Sequence, residues 1–130
     1  MEETAYAMNL VLDVEQPVCL VGAQRPSSAV GFDGTANLVA GIRTAADAQS
    51  KGHGVLVVMN DEIHSARDVA KTSCYRLDTF RSPELGPLGT VDGDGVHYYR
   101  RCLQKHTVAT QFSAAMLSSP LRVDISNAHS

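Results

Sequence analysis

Seven polar residues, Asn60, Asp61, Glu62, His64, Arg67, Asp68 and Lys71, arrive within twelve positions, directly behind the apolar run Val55-Leu-Val-Val-Met59. Carboxylates, an imidazole and an amine at that density could hold a metal, move protons or activate a nucleophile. The run before them is short, apolar and rich in β-branched residues. It predicts a strand buried on both faces of a helix-covered parallel sheet. Polar groups delivered beyond the carboxyl end of such a strand are where ligands collect in open α/β sheets.

Each candidate has a plainer reading beside it. Glu62 and His64 share a face if the chain there is extended, but neither a two-His nor a Cys/His spacing accompanies them. Solvated loop carboxylates beside a hydrogen-bonded histidine are the simpler account. Cys74 and His64 could form a thiolate pair, yet nothing in the neighbouring sequence lowers that thiol's pKa. Asp92-Gly-Asp-Gly95 lacks the downstream bidentate glutamate of a calcium loop and reads as turn chemistry. Gly86 and Gly89 do not open a helix as a phosphate cradle would. Lys71 leaves two readings open. It is either a lysine on a solvated face or one held in a cleft, where it can shed its proton and help to activate a hydroxyl.

The elements that must position these groups alternate. Met1, Ala5, Met8 and Leu12 fall on one face of an opening helix, with Glu2 and Glu3 in its first turn. Residues 17–23 predict a second buried strand, and 24–28 a loop at its carboxyl end. A helix over 35–46 should turn Leu38, Ile42 and Ala45 inward, and Gly52 and Gly54 lead into the strand at Val55. Helix, strand, helix, strand is the signature of a parallel α/β layer. Further on, 76–81 alternates like a half-exposed strand, and 90–99 predicts a β-hairpin with a glycine-containing turn. Residues 112–117 suggest a short helix and 121–125 a last strand. The fold class expected is α/β, a helix-flanked, mostly parallel sheet with a carboxyl-terminal hairpin.

Composition narrows the class. A chain of 130 residues that is 44% hydrophobic and 19% charged, with net charge −3, is globular rather than disordered. It is long enough for one domain. Arg100-Arg101 is an isolated basic pair, so no nucleic-acid footprint is expected. No apolar run approaches the length of a membrane span. Cys19, Cys74 and Cys102 are odd in number without a CxxC spacing, which leaves the redox compartment open. Cys19, inside an apolar run, reads as a small buried hydrophobe.

Six blocks then occur in order: Met1-Glu-Glu-Thr-Ala-Tyr6, Val21-Gly-Ala-Gln-Arg-Pro26, Asp33-Gly-Thr-Ala-Asn-Leu38, Gly54-Val-Leu-Val-Val-Met-Asn-Asp61, Arg67-Asp-Val-Ala-Lys-Thr72 and Phe80-Arg-Ser-Pro-Glu-Leu-Gly-Pro-Leu-Gly89. Together they resemble the middle of the bacterial-type L-asparaginases and glutaminase-asparaginases, from residue 1 to about 123. The resemblance implies part of that family's amino-terminal domain over 1–125, followed by a divergent tail over 126–130. It implies an amidohydrolase that releases ammonia from asparagine, or from asparagine and glutamine, through a threonine nucleophile. It further implies a homotetramer, a small-molecule substrate, no metal or organic cofactor, and either a periplasmic or a cytoplasmic location. By the same resemblance, Lys71 matches the catalytic lysine, and Ala23 a position whose backbone lines the substrate's side-chain amide.

The departures shape the expectations as much. The family's Thr-Gly-Gly-Thr-Ile motif has no counterpart among these residues. Its His-Gly-Thr-Asp-Thr/Ser-Met-Glu-Glu motif is represented only from Met1. The resemblance therefore leads one to expect a segment of a larger enzyme, inactive by itself, with Lys71 and Ala23 facing one crevice at the sheet's carboxyl-end rim. A non-catalytic α/β module for a small polar ligand, or an interaction protein, is the competing class.

Overall fold

The five residues of Val55–Met59 are all buried, and their alternation divides the core. Val55, Val57 and Met59 join Ala5, Ala66, Val69 and Phe80 on one side of the sheet. Leu56 and Val58 join Ala40, Ile63, Leu88, Val91 and Val96 on the other. Each such side chain removed from water contributes about 1.5–3 kcal/mol, so this strand anchors both layers. A computed structural model describes residues 1–117. Within them lie helices α1 (Glu2–Val11) and α2 (Gly34–Ala46) and strands β1 (Val18–Leu20), β2 (Val55–Met59), β3 (Glu62–Ser65), β4 (Ala70–Lys71), β5 (Phe80–Arg81), β6 (Gly89–Val91) and β7 (Val96–Tyr98).

The main sheet runs β1-β2-β3-β6-β7, and β4 pairs with β5 in a separate two-stranded ribbon. β1 and β2 are parallel, with Val18 opposite Val55 and Leu20 opposite Val57. The other pairs in the sheet are antiparallel. A mostly parallel sheet was expected, and the sheet is mixed. The cause is local: Asn60 and Asp61 take φ of 53° and 60°, a left-handed two-residue turn that reverses the chain at once. The polar stretch after β2 is therefore a hairpin whose second strand returns beside β2, with Leu56 facing Ser65 and Met59 facing Glu62.

α1 packs as its periodicity predicts. Ala5 is buried, and Met1, Met8 and Leu12 lie against the Val55–Val57–Met59 cluster. Asn9, also buried, accepts a 3.0 Å bond from the Val55 amide, which satisfies the first donor of β2. α2 has the opposite orientation to that expected. Its buried residues are Asn37, Ala40, Gly41 and Thr44, whereas Leu38, Val39 and Ile42 are 51%, 52% and 60% exposed. Close packing explains the inversion. A Cβ on Gly41 would lie 2.4 Å from Val21 Cγ1, so the helix approaches β1 too closely for a bulky inward row.

The strand expected over 17–23 is shorter, half-buried and at the sheet's edge. The one over 76–81 is a 3-10 turn at Leu77–Thr79 followed by β5. The hairpin at 90–99 is present as β6 and β7. Gly89 is required there, because a Cβ would stand 2.0 Å from the His97 carbonyl oxygen. The short helix expected over 112–117 is a 3-10 turn at Ala114–Leu117. The strand expected over 121–125 lies outside the described residues. Among the described residues, no helix is long and apolar enough to cross a membrane.

Candidate active site

The ends of β1 and β2 are joined by one side chain. Asn37, on α2, donates to the Gly22 carbonyl at 2.9 Å and accepts from the Asn60 amide at 2.9 Å. Its amide also donates to Asp33 at 3.0 Å. Asp33 in turn accepts from the backbone amides of Gln24 and Arg25, both at 2.9 Å, and so fixes the loop that follows Ala23. Burial alone would raise the Asp33 carboxyl. The amides of Gln24, Arg25 and its own residue, with the Asn37 side chain, outweigh this and hold it below the ordinary value. Gly22 completes the junction, its amide donating to Met59 Sδ at 3.2 Å.

Lys71 stands on the short β4–β5 ribbon, opposite Phe80. It is exposed, and its ammonium lies 5.9 Å from the centre of the Phe80 ring, a cation–π distance. Its backbone amide donates to the Glu2 carboxylate at the start of α1. Thr72 and Ser73 are held by Thr79, through a 2.7 Å bond from the Thr72 amide to the Thr79 carbonyl and a 3.0 Å bond from the Ser73 amide to Thr79 Oγ1. Among the described residues Lys71 has no ion-pair partner. Ala23 is exposed in the loop after β1. Gln24, next to it, donates its side-chain amide to the Cys74 carbonyl, which ties that loop to the segment carrying Lys71. Met1 closes the same corner, its Sδ lying 3.6 Å from where a Gly22 Cβ would stand. The loop of Ala23 and the segment of Lys71 are thus linked through Gln24 and Cys74, and the latter segment carries a lysine with threonine and serine hydroxyls beside it.

The other polar residues go elsewhere. Asp61 occupies the turn, and Asp68 pairs with Arg100 at 3.1 Å. His64 is fully buried on β3, not on a solvated loop. Its Nδ1 is 3.0 Å from Ser82 Oγ, and its Nε2 is 3.2 Å from a Glu62 oxygen. Burial, aided by the Arg100 charge, pushes the imidazole down to about 4. Cys19 is half-buried, its thiol pushed up to about 11 by burial, as suits a small hydrophobe. Asp92 and Gly95 close the β6–β7 turn with a 2.8 Å backbone bond. Asn37 and Asn9 were absent from the sequence candidates, because a lone asparagine within a helical stretch carries no spacing signal.

The profile of the family described as Asparaginase, N-terminal matches residues 1–104. The chain belongs to the asparaginase family. It is 46% identical over its whole length to the probable periplasmic L-asparaginase of Haemophilus influenzae, of which it covers 37%. It is 43% identical over 96% of its length to L-asparaginase 2 of Escherichia coli, covering 36% of that protein. Against the glutaminase-asparaginase of Pseudomonas aeruginosa the identity is 39% over 96% of the chain and 34% of the relative. The crystal structure of a probable cytoplasmic L-asparaginase from Campylobacter jejuni superposes with a TM-score of 0.88 at 41% identity, over 92% of this chain and 38% of that one. The chain therefore spans about a third of the length of these relatives, and its mixed sheet with two helices matches the Campylobacter jejuni structure.

Proposed function

We propose that this asparaginase chain supplies Lys71 and the Ala23 rim to a site that hydrolyses the side-chain amide of L-asparagine, with L-glutamine as a second substrate. The observation that carries the reading is Lys71 in its Arg67-Asp-Val-Ala-Lys-Thr72 setting, on a segment bonded to the loop of Ala23. In this reading a threonine outside these 130 residues attacks the amide carbon, the C–N bond breaks, and the nitrogen leaves as ammonia after accepting a proton. Water then cleaves the acyl-threonine ester and regenerates the hydroxyl. Lys71, with an aspartate also outside the chain, draws the proton from a second threonine, while the Ala23 backbone orients the substrate amide. The complete enzyme is a homotetramer in which a neighbouring subunit finishes each site. The 130 residues alone release no ammonia at an enzymatic rate, because the threonine motifs are not among them.

The test is a chimera in which residues 1–125 replace the matching third of Escherichia coli L-asparaginase 2. The chimera should release ammonia from asparagine. Lys71→Met within it should lower kcat by about 10²–10⁴-fold, the range of a lost proton-transfer group, while KM changes much less. Near-normal turnover by the Lys71→Met chimera would reject the assignment.

A further inference from the structure

Lys71 sits on an element too small to hold itself in place. β4 is two residues long. Among the described residues it pairs with β5 alone, Ala70 opposite Arg81 and Lys71 opposite Phe80, apart from the five-stranded sheet. A lone two-stranded ribbon is marginally stable in water, so the lysine's position depends on bonds that leave the ribbon. The Thr72 amide crosses to the Thr79 carbonyl at 2.7 Å. Successive amides of a strand point to opposite sides, so the Lys71 amide faces the other edge of β4, where no strand runs among the described residues. The Glu2 carboxylate accepts it there. Asp68, paired with Arg100 at 3.1 Å, holds the same segment a little earlier, but the Glu2 bond ends on Lys71 itself.

The far end of that bond is firmly seated. Glu2 opens α1, where the helix dipole favours a carboxylate. Behind it Ala5 is buried, and Met1, Met8 and Leu12 pack against the Val55–Val57–Met59 cluster. Asn9 bonds the Val55 amide at 3.0 Å. A carboxylate that accepts from a backbone amide makes a charge-assisted bond, stronger than a neutral one. Among the described residues Glu2 makes no ion pair with the Lys71 ammonium. It grips the lysine's backbone and leaves the side chain to the site.

We propose that Glu2 is a positioning residue for Lys71, an inference that rests on the reading of Lys71 as the proton-handling group. In that reading the second threonine and its aspartate precede Met1 directly, so they are continuous with the helix that Glu2 opens. The Glu2 carboxylate then sets the separation between the lysine and that pair. Misplacement of a reacting group by about 1 Å can cost roughly 10²-fold in rate.

The chimera with Escherichia coli L-asparaginase 2 carries the test. Glu2→Ala should lower kcat by about 10–10²-fold, while KM changes far less, because the Ala23 loop is held by Asp33 and Gln24 instead. Glu2→Gln should recover most of the lost rate, since its amide oxygen still accepts from the Lys71 amide. Combined with Lys71→Met, Glu2→Ala should add little further loss, as expected of two residues that act through one group. General damage to the fold would instead multiply with the lysine's loss. Full turnover in Glu2→Ala, no recovery in Glu2→Gln, or multiplying losses in the double variant would each overturn the proposal while leaving the Lys71 assignment intact. Near-normal turnover in Lys71→Met would reject that assignment, and this inference with it.

Discussion

At the scale of the residue, the most perturbed titrating group is His64, and its sign can be worked out. The imidazole is pushed down to about 4, by burial first and by the Arg100 charge second, whereas an unfolded histidine titrates near ~6.5. Between those values the unfolded chain takes up a proton that the folded chain refuses. Stability contributed by the neutral ring is therefore whole above about pH 6.5, falls as the pH drops toward about 4, and then levels off. The full effect is on the order of 3 kcal/mol. His53 and His106, both lowered chiefly by burial and then by Arg101, act in the same direction. His64→Gln should consequently unfold with a shallower dependence on pH. Urea titrations between pH 7 and 4.5 check this, and parallel slopes in variant and parent would rule His64 out as the main acid-sensitive group.

At the scale of the element, what could be read in advance was whatever depends on local pattern. The apolar run 55–59 announced β2, the 1-5-8-12 spacing announced the buried face of α1, and the glycine-containing turn announced the β6–β7 hairpin. The turn at Asn60-Asp61 escaped notice because it lacks the glycine that usually marks such hairpins, and missing it turned an antiparallel partner into an imagined exit loop. α2 misled for another reason: its apolar residues face outward while Asn37 and Gly41 face the sheet, and only tertiary bonds to Gly22 and Asn60 account for that. Lys71 and Ala23 carried no local signal distinguishing them from surface residues and emerged only from the family blocks. The turn itself is testable. Asp61→Gly should be close to neutral, since relief at φ of 60° offsets glycine's added freedom in the unfolded chain. Asp61→Val should cost about 1–2 kcal/mol, because a β-branched residue resists the left-handed region. Gly89→Ala should be more damaging than either, as its Cβ would meet backbone rather than a movable side chain. Denaturant midpoints rank the three, and a Gly89→Ala chain as stable as the parent would disprove the close-approach argument.

At the scale of the whole molecule, two apolar surfaces stand without cover among the described residues. Among the described residues β1 ends the sheet, so Val18-Cys-Leu20 present there a row of unpaired backbone groups on one side, and such edges template pairing with other chains. α2 offers Leu38, Val39 and Ile42 to solvent, a cluster rather than scattered single residues, and contiguous apolar patches favour association. The net charge of −3 gives little repulsion to oppose it. The 130-residue chain should therefore self-associate in a concentration-dependent way. Two contributions can be separated. Leu38→Lys with Ile42→Glu alters only outward-facing positions of α2, so the fold should survive while the larger species shrink or vanish. If association persists in that double variant, the β1 edge is the main contact, and a lysine at Cys19 would place a charge within that strand without adding to the α2 face. Sedimentation velocity over a tenfold concentration range distinguishes these outcomes. A parent chain that sediments as one monomeric species throughout would mean that neither surface drives assembly at those concentrations.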